Sequence, residues 1–159
     1  NLDTRLRKLD EGQYDGIVLA AAGLKRLGLS ERIRHIFDTT EMLPAAGQGA
    51  LGIEVCSTRS DVTAALAPLA DASTWLTVTA ERAVSRAMGG SCSMPLAAHA
   101  TYDNGVLNLR AAWGDPEGSA TLVQASVEQP VAVNDHLAAR RMGEEVAKAL
   151  QAKGAVGAR

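Results

Sequence analysis

The alternation of apolar and polar positions predicts short helices at the start of the chain. Leucines recur at helical spacing over residues 2–9, which predicts an amphipathic helix that ends near Gly12. Residues 17–20, IVLA, have the length and branched side chains of a buried strand. Residues 24–37 then predict two short helical pieces, because a glycine and a serine interrupt their pattern.

A glycine- and proline-rich passage separates this region from the rest of the chain. Residues 42–56, MLPAAGQGALGIEVC, predict a sharp turn or a domain crossing that leads into an apolar strand over residues 50–56. Two helices are predicted after it, over residues 57–71 and 72–88. The pair Gly89–Gly90 is expected to end the second of these helices.

The last part of the chain has the pattern of a small sheet followed by a helix. Residues 96–102, 106–113 and 120–127 predict three strands of an antiparallel meander, separated by the turn signals DNG and GDPEGS. Residues 134–153 predict a surface helix that closes the fold. Its apolar stripe is expected to contain Leu137, Met142, Val146 and Leu150.

The predicted fold class is α/β plus α+β. We interpret residues 1–49 as the C-terminal part of a doubly wound α/β domain, and residues 50–159 as a small domain with a three-stranded antiparallel sheet covered by helices. A single strand cannot form the sheet of the first domain, so its partner strands are expected elsewhere. The chain also begins at Asn1 within a helical pattern, and we therefore expect an upstream part to be missing.

Composition narrows the classes of function. The net charge is −2 and no long basic run is present, which argues against a nucleic-acid or membrane-surface partner. Aromatic residues make up only 3%, so the sequence offers no platform for stacking bases. No apolar stretch approaches the roughly 18 residues of a membrane span, and the polar start is unlike a signal peptide. These features predict a cytoplasmic protein.

The two cysteines, Cys56 and Cys92, do not form a disulfide framework. The cysteines and histidines also lack the close paired spacing of a metal site, so no metal is predicted. Cys92 stands in GGSCSMPL, residues 89–96, where glycines, serines and a proline suggest an exposed loop. The loop follows the C-terminus of a helix, whose negative end disfavours a thiolate. This favours a thiol alkylated once and kept as a thioether, with a buried structural thiol as the alternative.

Three segments of the chain together resemble one enzyme family. The run ERAVSRAMGGSCSMPLAA, residues 81–98, resembles the cofactor-attachment signature of porphobilinogen deaminase, also called hydroxymethylbilane synthase. TRLRKLDEGQYDGIVLAAAGLKRLGL, residues 4–29, and LPAAGQGALGIE, residues 43–54, resemble the same family in the expected order. Met94 departs from the pattern, since the family more often has a β-branched residue there.

The resemblance implies a cofactor and a reaction. Cys92 would carry a dipyrromethane through a thioether, and the enzyme would join four porphobilinogen molecules to this primer, with loss of ammonia at each addition. Hydrolysis would then free hydroxymethylbilane, for heme biosynthesis, and leave the primer on the protein. Arg5 and Arg26 match family positions that bind the pyrrole carboxylates, for which a guanidinium is suited. Gln48 and Ala20 match positions that line the cofactor cleft.

The resemblance also implies what this chain lacks. The family's catalytic aspartate and several further arginines belong to an amino-terminal part that this sequence does not contain, so no catalytic residue is assigned here. We expect the chain to be inactive without that half, and a monomer. Its partners would then be porphobilinogen, the growing polypyrrole and the missing half.

Several residues near the cysteine loop are not assigned a role in cofactor binding. Arg82 and Arg86 either face a cleft or form the polar side of their helix, Glu81 is expected to cap or pair locally, and His99 is expected to be structural. Two other functions remain open. One is a non-enzymatic ligand-binding or interaction module with a structural Cys92. The other is a thiol-dependent hydrolase, which needs a histidine in contact with Cys92.

Overall fold

A computed structural model describes residues 1–91, 93–115 and 122–155. The chain divides into two compact units, Asn1–Asp38 and Thr39–Arg159. In chain order the elements are α1 (Leu2–Asp10), α2 (Ala21–Arg26), a 3-10 turn (Ser30–Arg32), α3 (Ser60–Leu66), a second 3-10 turn (Ala67–Leu69), α4 (Ala72–Ala87), β1 (Leu96–Asp103), β2 (Val106–Trp113), β3 (Val123–Pro130) and α5 (His136–Ala152).

The helices of the first unit follow the predicted pattern. The side chain of Asn1 accepts a hydrogen bond from the Asp3 amide and caps α1. The two helical pieces predicted over residues 24–37 are confirmed in part, as the end of α2 and the 3-10 turn, whereas residues 33–37 are not helical. The strand predictions over residues 17–20 and 50–56 are wrong, since neither segment is a strand. An apolar run becomes a strand only beside a hydrogen-bonding neighbour, and no described segment pairs with either one.

The second unit contains the predicted antiparallel meander, with strand order β1-β2-β3. Leu96 pairs with Trp113 in the first hairpin, whose DNG turn has positive φ at Asn104 (49°) and Gly105 (79°). Two such residues match the twist of a two-residue hairpin turn. Residues 120–121 of the predicted third strand, and most of the GDPEGS turn, lie outside the described residues.

Helices α4 and α5 cover one face of this sheet with aliphatic side chains. The fully buried large side chains are Leu76 and Val84 from α4, Met88 at the C-cap of α4, Leu107 and Leu109 from β2, and Met142, Val146 and Leu150 from α5. Leu137 was expected on the same stripe, but it is 60% exposed. It precedes Met142 by five positions, which is about 140° around a helix, and therefore points away from the core.

The start of α4 depends on the ionised carboxylate of Asp71, which accepts hydrogen bonds from the Thr74 amide and the Ser73 hydroxyl, both at 2.7 Å. Hydrogen bonding from the Thr74 side chain, the Ser73 side chain and the Thr74 amide, in that order, lowers the pKa of Asp71 to about 2. Because the folded pKa lies below the ordinary 3.8, the stabilisation is complete above that pH and is lost as the pH falls through about 2. Asp71→Ala is therefore expected to lower the urea midpoint at pH 7 but much less at pH 2.

Urea unfolding followed by circular dichroism at both pH values measures this difference. Asp15→Ala, at an exposed position of the first unit, is the control and should change neither midpoint. An Asp71→Ala effect of equal size at both pH values would show that the charge of the cap is unimportant.

Candidate functional site

The backbone on both sides of Cys92 forms an exposed turn at the end of α4. Gly89 and Gly90 have φ of 109° and 61°, and the Gly90 amide donates to the Ser85 carbonyl at 2.8 Å. Only glycine adopts such a pair without strain, which is why the helix ends here as predicted. The hydroxyls of Ser91 and Ser93 lie 2.7 Å apart. Cys92 itself lies outside the described residues, so its role stays a prediction.

The glycine-rich segment forms two consecutive turns around Gln48. Gly47 and Gly49 have φ of 75° and 89°, and no atom lies within 4 Å of a Cβ built on either one. Glycine is needed here for its backbone conformation, not for space. The Gln48 amide donates to the Ala45 carbonyl at 3.0 Å, and the Gln48 side chain is exposed between the glycines. The turn therefore presents an amide group at the surface.

Glu81 links this turn to the core of the second unit. It is buried, with 6% exposure, and its two oxygens accept from the Gly47 amide at 2.6 Å and the Ala100 amide at 2.8 Å. Its Oε1 also lies 3.7 Å from Nδ1 of His99. The expectation of a local cap or pair is wrong, because the bonded amides are 34 and 19 residues away.

The position of Glu81 in the sequence indicates that its carboxylate is buried. Glu81 stands three residues before Val84 and seven before Met88, on the apolar stripe of α4, where an acidic side chain needs a buried partner. The sequence does not show which partner. In the structure the Glu81 carboxylate joins the Gln48 turn to the helix that leads into the cysteine loop, and the Ala98 amide also donates to the Pro44 carbonyl just before the turn. Two of the three segments that carry the family resemblance, residues 43–54 and 81–98, are thus connected by a hydrogen bond from the Gly47 amide to Glu81.

The other predicted cofactor residues lie in the first unit. Arg5 is exposed on α1, Arg26 is exposed in the last turn of α2, and Ala20 is the exposed N-cap of α2. Neither arginine forms an ion pair with any described residue. Both guanidinium groups are thus available to carboxylates of a bound molecule, which is the chemistry that a dipyrromethane with acetate and propionate groups requires.

Some of the other basic residues of the first unit differ from Arg5 and Arg26 because they form ion pairs. Arg7 and Arg32 are held by acidic side chains at 2.6 and 2.5 Å. Lys25 and Arg34, like Arg5 and Arg26, have no ionic partner within the described part of the chain. The structure is therefore compatible with Arg5 and Arg26 as ligand residues but does not single them out.

The described residues contain one thiol, Cys56, which is exposed. Its Sγ lies 3.2 Å from Oγ1 of Thr58, and this hydrogen bond lowers the pKa of Cys56 below its ordinary value. Experiments on Cys92 must therefore distinguish the two thiols. Within residues 1–91, 93–115 and 122–155 no cluster of three or more acidic, histidine or cysteine side chains is arranged to hold a metal. No helix there is long and apolar enough to span a membrane.

Comparison with known proteins identifies the two parts of the chain. Residues 1–64 match the family model described as "Porphobilinogen deaminase, dipyromethane cofactor binding domain". Residues 75–152 match the model described as "Porphobilinogen deaminase, C-terminal domain".

Individual relatives carry the same name. A porphobilinogen deaminase from Albidiferax ferrireducens is 66% identical over 152 residues, which are 96% of this chain and 48% of the relative. One from Paraburkholderia phymatum is 55% identical over 156 residues, 98% of this chain and 47% of the relative. The chain thus spans about half the length of the curated relatives it matches. With both family models matched in order, the chain belongs to the porphobilinogen deaminase family.

Proposed function

We propose that this chain is the C-terminal part of an enzyme that joins four porphobilinogen units, with loss of ammonia, to a dipyrromethane primer on Cys92. Water would then hydrolyse the bond between the primer and the four added units, which releases them as hydroxymethylbilane, for heme biosynthesis, and leaves the primer on Cys92. The observation that carries the proposal is the match to both family domains, in order, across most of the chain. The exposed turn that flanks Cys92 supports it, since a covalently attached group requires access from solvent.

The bound primer would supply the pyrrole end to which new units are added. Arg5 and Arg26 would bind acetate and propionate carboxylates through paired N–H donors, because a guanidinium remains charged and matches a carboxylate in shape. Gln48 would offer an amide donor and acceptor from its rigid turn. Ala20 would border the same cleft without adding a polar group. None of these residues would act as an acid or base in the proposed reaction, and the catalytic groups would come from the amino-terminal half.

The proposal also assigns the two parts of the chain to domains of the enzyme and states where and in what form the enzyme acts. Residues 1–49 would complete the second domain of the enzyme, and residues 50–159 would form the third. The enzyme would act in the cytoplasm as a monomer, and this chain alone would be inactive. The length of the relatives, about twice that of this chain, supports the need for an amino-terminal partner segment.

The test is the intact mass of the 159-residue chain after co-expression with the amino-terminal half of the Albidiferax ferrireducens relative. The chain is expected to be heavier by two pyrrole units, localised to the peptide that contains Cys92. Cys92→Ser is expected to have the bare mass and to lose all porphobilinogen consumption, because no other group forms the thioether.

Cys56→Ser is the matched control, since it removes the other thiol, and it should keep both the added mass and the activity. A bare mass for the unaltered chain in an active mixture, or an added mass on Cys56, would contradict the proposal. A bare mass with no activity in any combination is the result expected of a non-enzymatic module. Activity of the chain by itself would contradict the proposed need for the other half.

A further inference from the structure

A basic groove lies between α4 and α5, on the surface of the second unit. Its volume is about 390 Å³, within the roughly 300–1,000 Å³ typical of sites for small molecules. The residues that line it are Trp75, Val78, Thr79, Arg82 and Arg86 from α4, and His136, Leu137 and Arg140 from α5. None of them was assigned a ligand above.

The charge of the groove is uncompensated. Arg82, Arg86 and Arg140 are exposed, and none of the three forms an ion pair with another described residue. No acidic side chain is among the lining residues. Arg82 and Arg86 stand four positions apart on one helix face, where like charges repel and destabilise the helix slightly. An anion with more than one charged oxygen group would relieve the repulsion between Arg82 and Arg86 and could also bind Arg140 on the opposite wall.

The apolar residues of the groove indicate that the anion also carries an apolar part. Trp75 is 61% exposed and Leu137 is 60% exposed, so large apolar side chains from both helices stand in solvent beside the arginines. An indole face stacks well on a flat ring, and burial of such a ring would remove apolar surface on both partners from water. The volume has room for one or two rings, which favours a small molecule over a protein segment.

We propose that this groove is a binding site for a small planar ring compound that carries two or more carboxylates. The ring would lie against Trp75 and Leu137, and the carboxylates would accept hydrogen bonds from Arg82 and Arg86 on one wall and Arg140 on the other. The inference rests on the second unit alone and does not depend on the proposed deaminase function.

The test is an NMR titration of the ¹⁵N-labelled 159-residue chain with benzene-1,3,5-tricarboxylate. The indole N–H signal of the exposed Trp75 is expected to shift to saturation, while that of the buried Trp113 stays in place. The double variant Arg86→Gln, Arg140→Gln is expected to bind about tenfold more weakly or worse, because it loses charge-assisted hydrogen bonds from both walls. Arg141→Gln, an exposed arginine of α5 outside the groove, is the matched control and should bind within about twofold of the unaltered chain.

Three results would overturn the proposal. The first is the absence of a saturable Trp75 shift. The second is equal weakening by Arg141→Gln, which would mean non-specific attraction to net charge. The third is equally tight binding of propane-1,2,3-tricarboxylate, which has the same number of carboxylates but no ring. Far-ultraviolet circular dichroism of each variant confirms folding, and Arg82→Gln provides an independent removal of one charge from the same wall.

Discussion

Glu81→Ala is expected to lower the free energy of unfolding of the second unit by about 2–5 kcal/mol. The variant leaves the amides of Gly47 and Ala100 without the acceptor that each has in the structure, at 2.6 and 2.8 Å. A buried donor without an acceptor costs about 1–3 kcal/mol, and the Ala100 bond is buried. The variant also leaves a small cavity beneath the Gln48 turn. Urea unfolding followed by circular dichroism measures the loss.

The comparison variants separate the acceptor role of Glu81 from the general effect of removing a carboxylate. Glu81→Gln keeps one acceptor oxygen and is expected to lose clearly less stability than Glu81→Ala. Glu128→Ala, which removes an exposed carboxylate bonded to Asn108, should change the stability by no more than about 0.5 kcal/mol. If Glu81→Ala unfolded at the same urea concentration as the unaltered chain, the hydrogen bonds from Gly47 and Ala100 to Glu81 would not stabilise the second unit.

Gly143→Ala is expected to destabilise the packing of α4 on α5 by about 1–3 kcal/mol, less the roughly 1 kcal/mol that alanine gains as the better helix former. A Cβ at this position would lie 2.5 Å from both the Ala80 carbonyl oxygen and the Ala83 Cβ. Neither atom belongs to a flexible side chain, so the two helices must move apart. Gly143→Val adds further atoms at the same contact and is expected to be worse. The measurement is the urea midpoint of each variant.

Gly23→Ala is the matched control for this effect. Gly23 is also a helical glycine, but its added Cβ would meet only Leu2 Cδ1 at an ordinary 3.7 Å. The substitution should leave stability unchanged or raise it by up to about 1 kcal/mol. A Gly143→Ala variant as stable as Gly23→Ala would show that the helices do not require close backbone approach at this crossing.

Local patterns predicted the second unit well because its elements are stabilised by neighbours in sequence. The DNG turn, the glycine pair after α4 and the alternation along β1 and β2 each act over a few residues, and the structure confirms all of them. The strand predictions over residues 17–20 and 50–56 failed because a strand is completed only by a partner, which an apolar run does not specify. The prediction for Leu137 is wrong for a different reason, since this residue lies about 140° around α5 from Met142 and so is off the buried stripe.

The sequence by itself determined the family, and it predicted the cofactor cysteine and the carboxylate-binding arginines, because these depend on residue types in a fixed order. Only the tertiary structure decided what Glu81 does and which arginines share a groove. Glu81 bonds to amides 34 and 19 residues away, and Arg140 meets Arg82 and Arg86 only because two distant helices pack together. Such contacts arise when the chain folds back on itself, and no short-range pattern of apolar and polar positions specifies them.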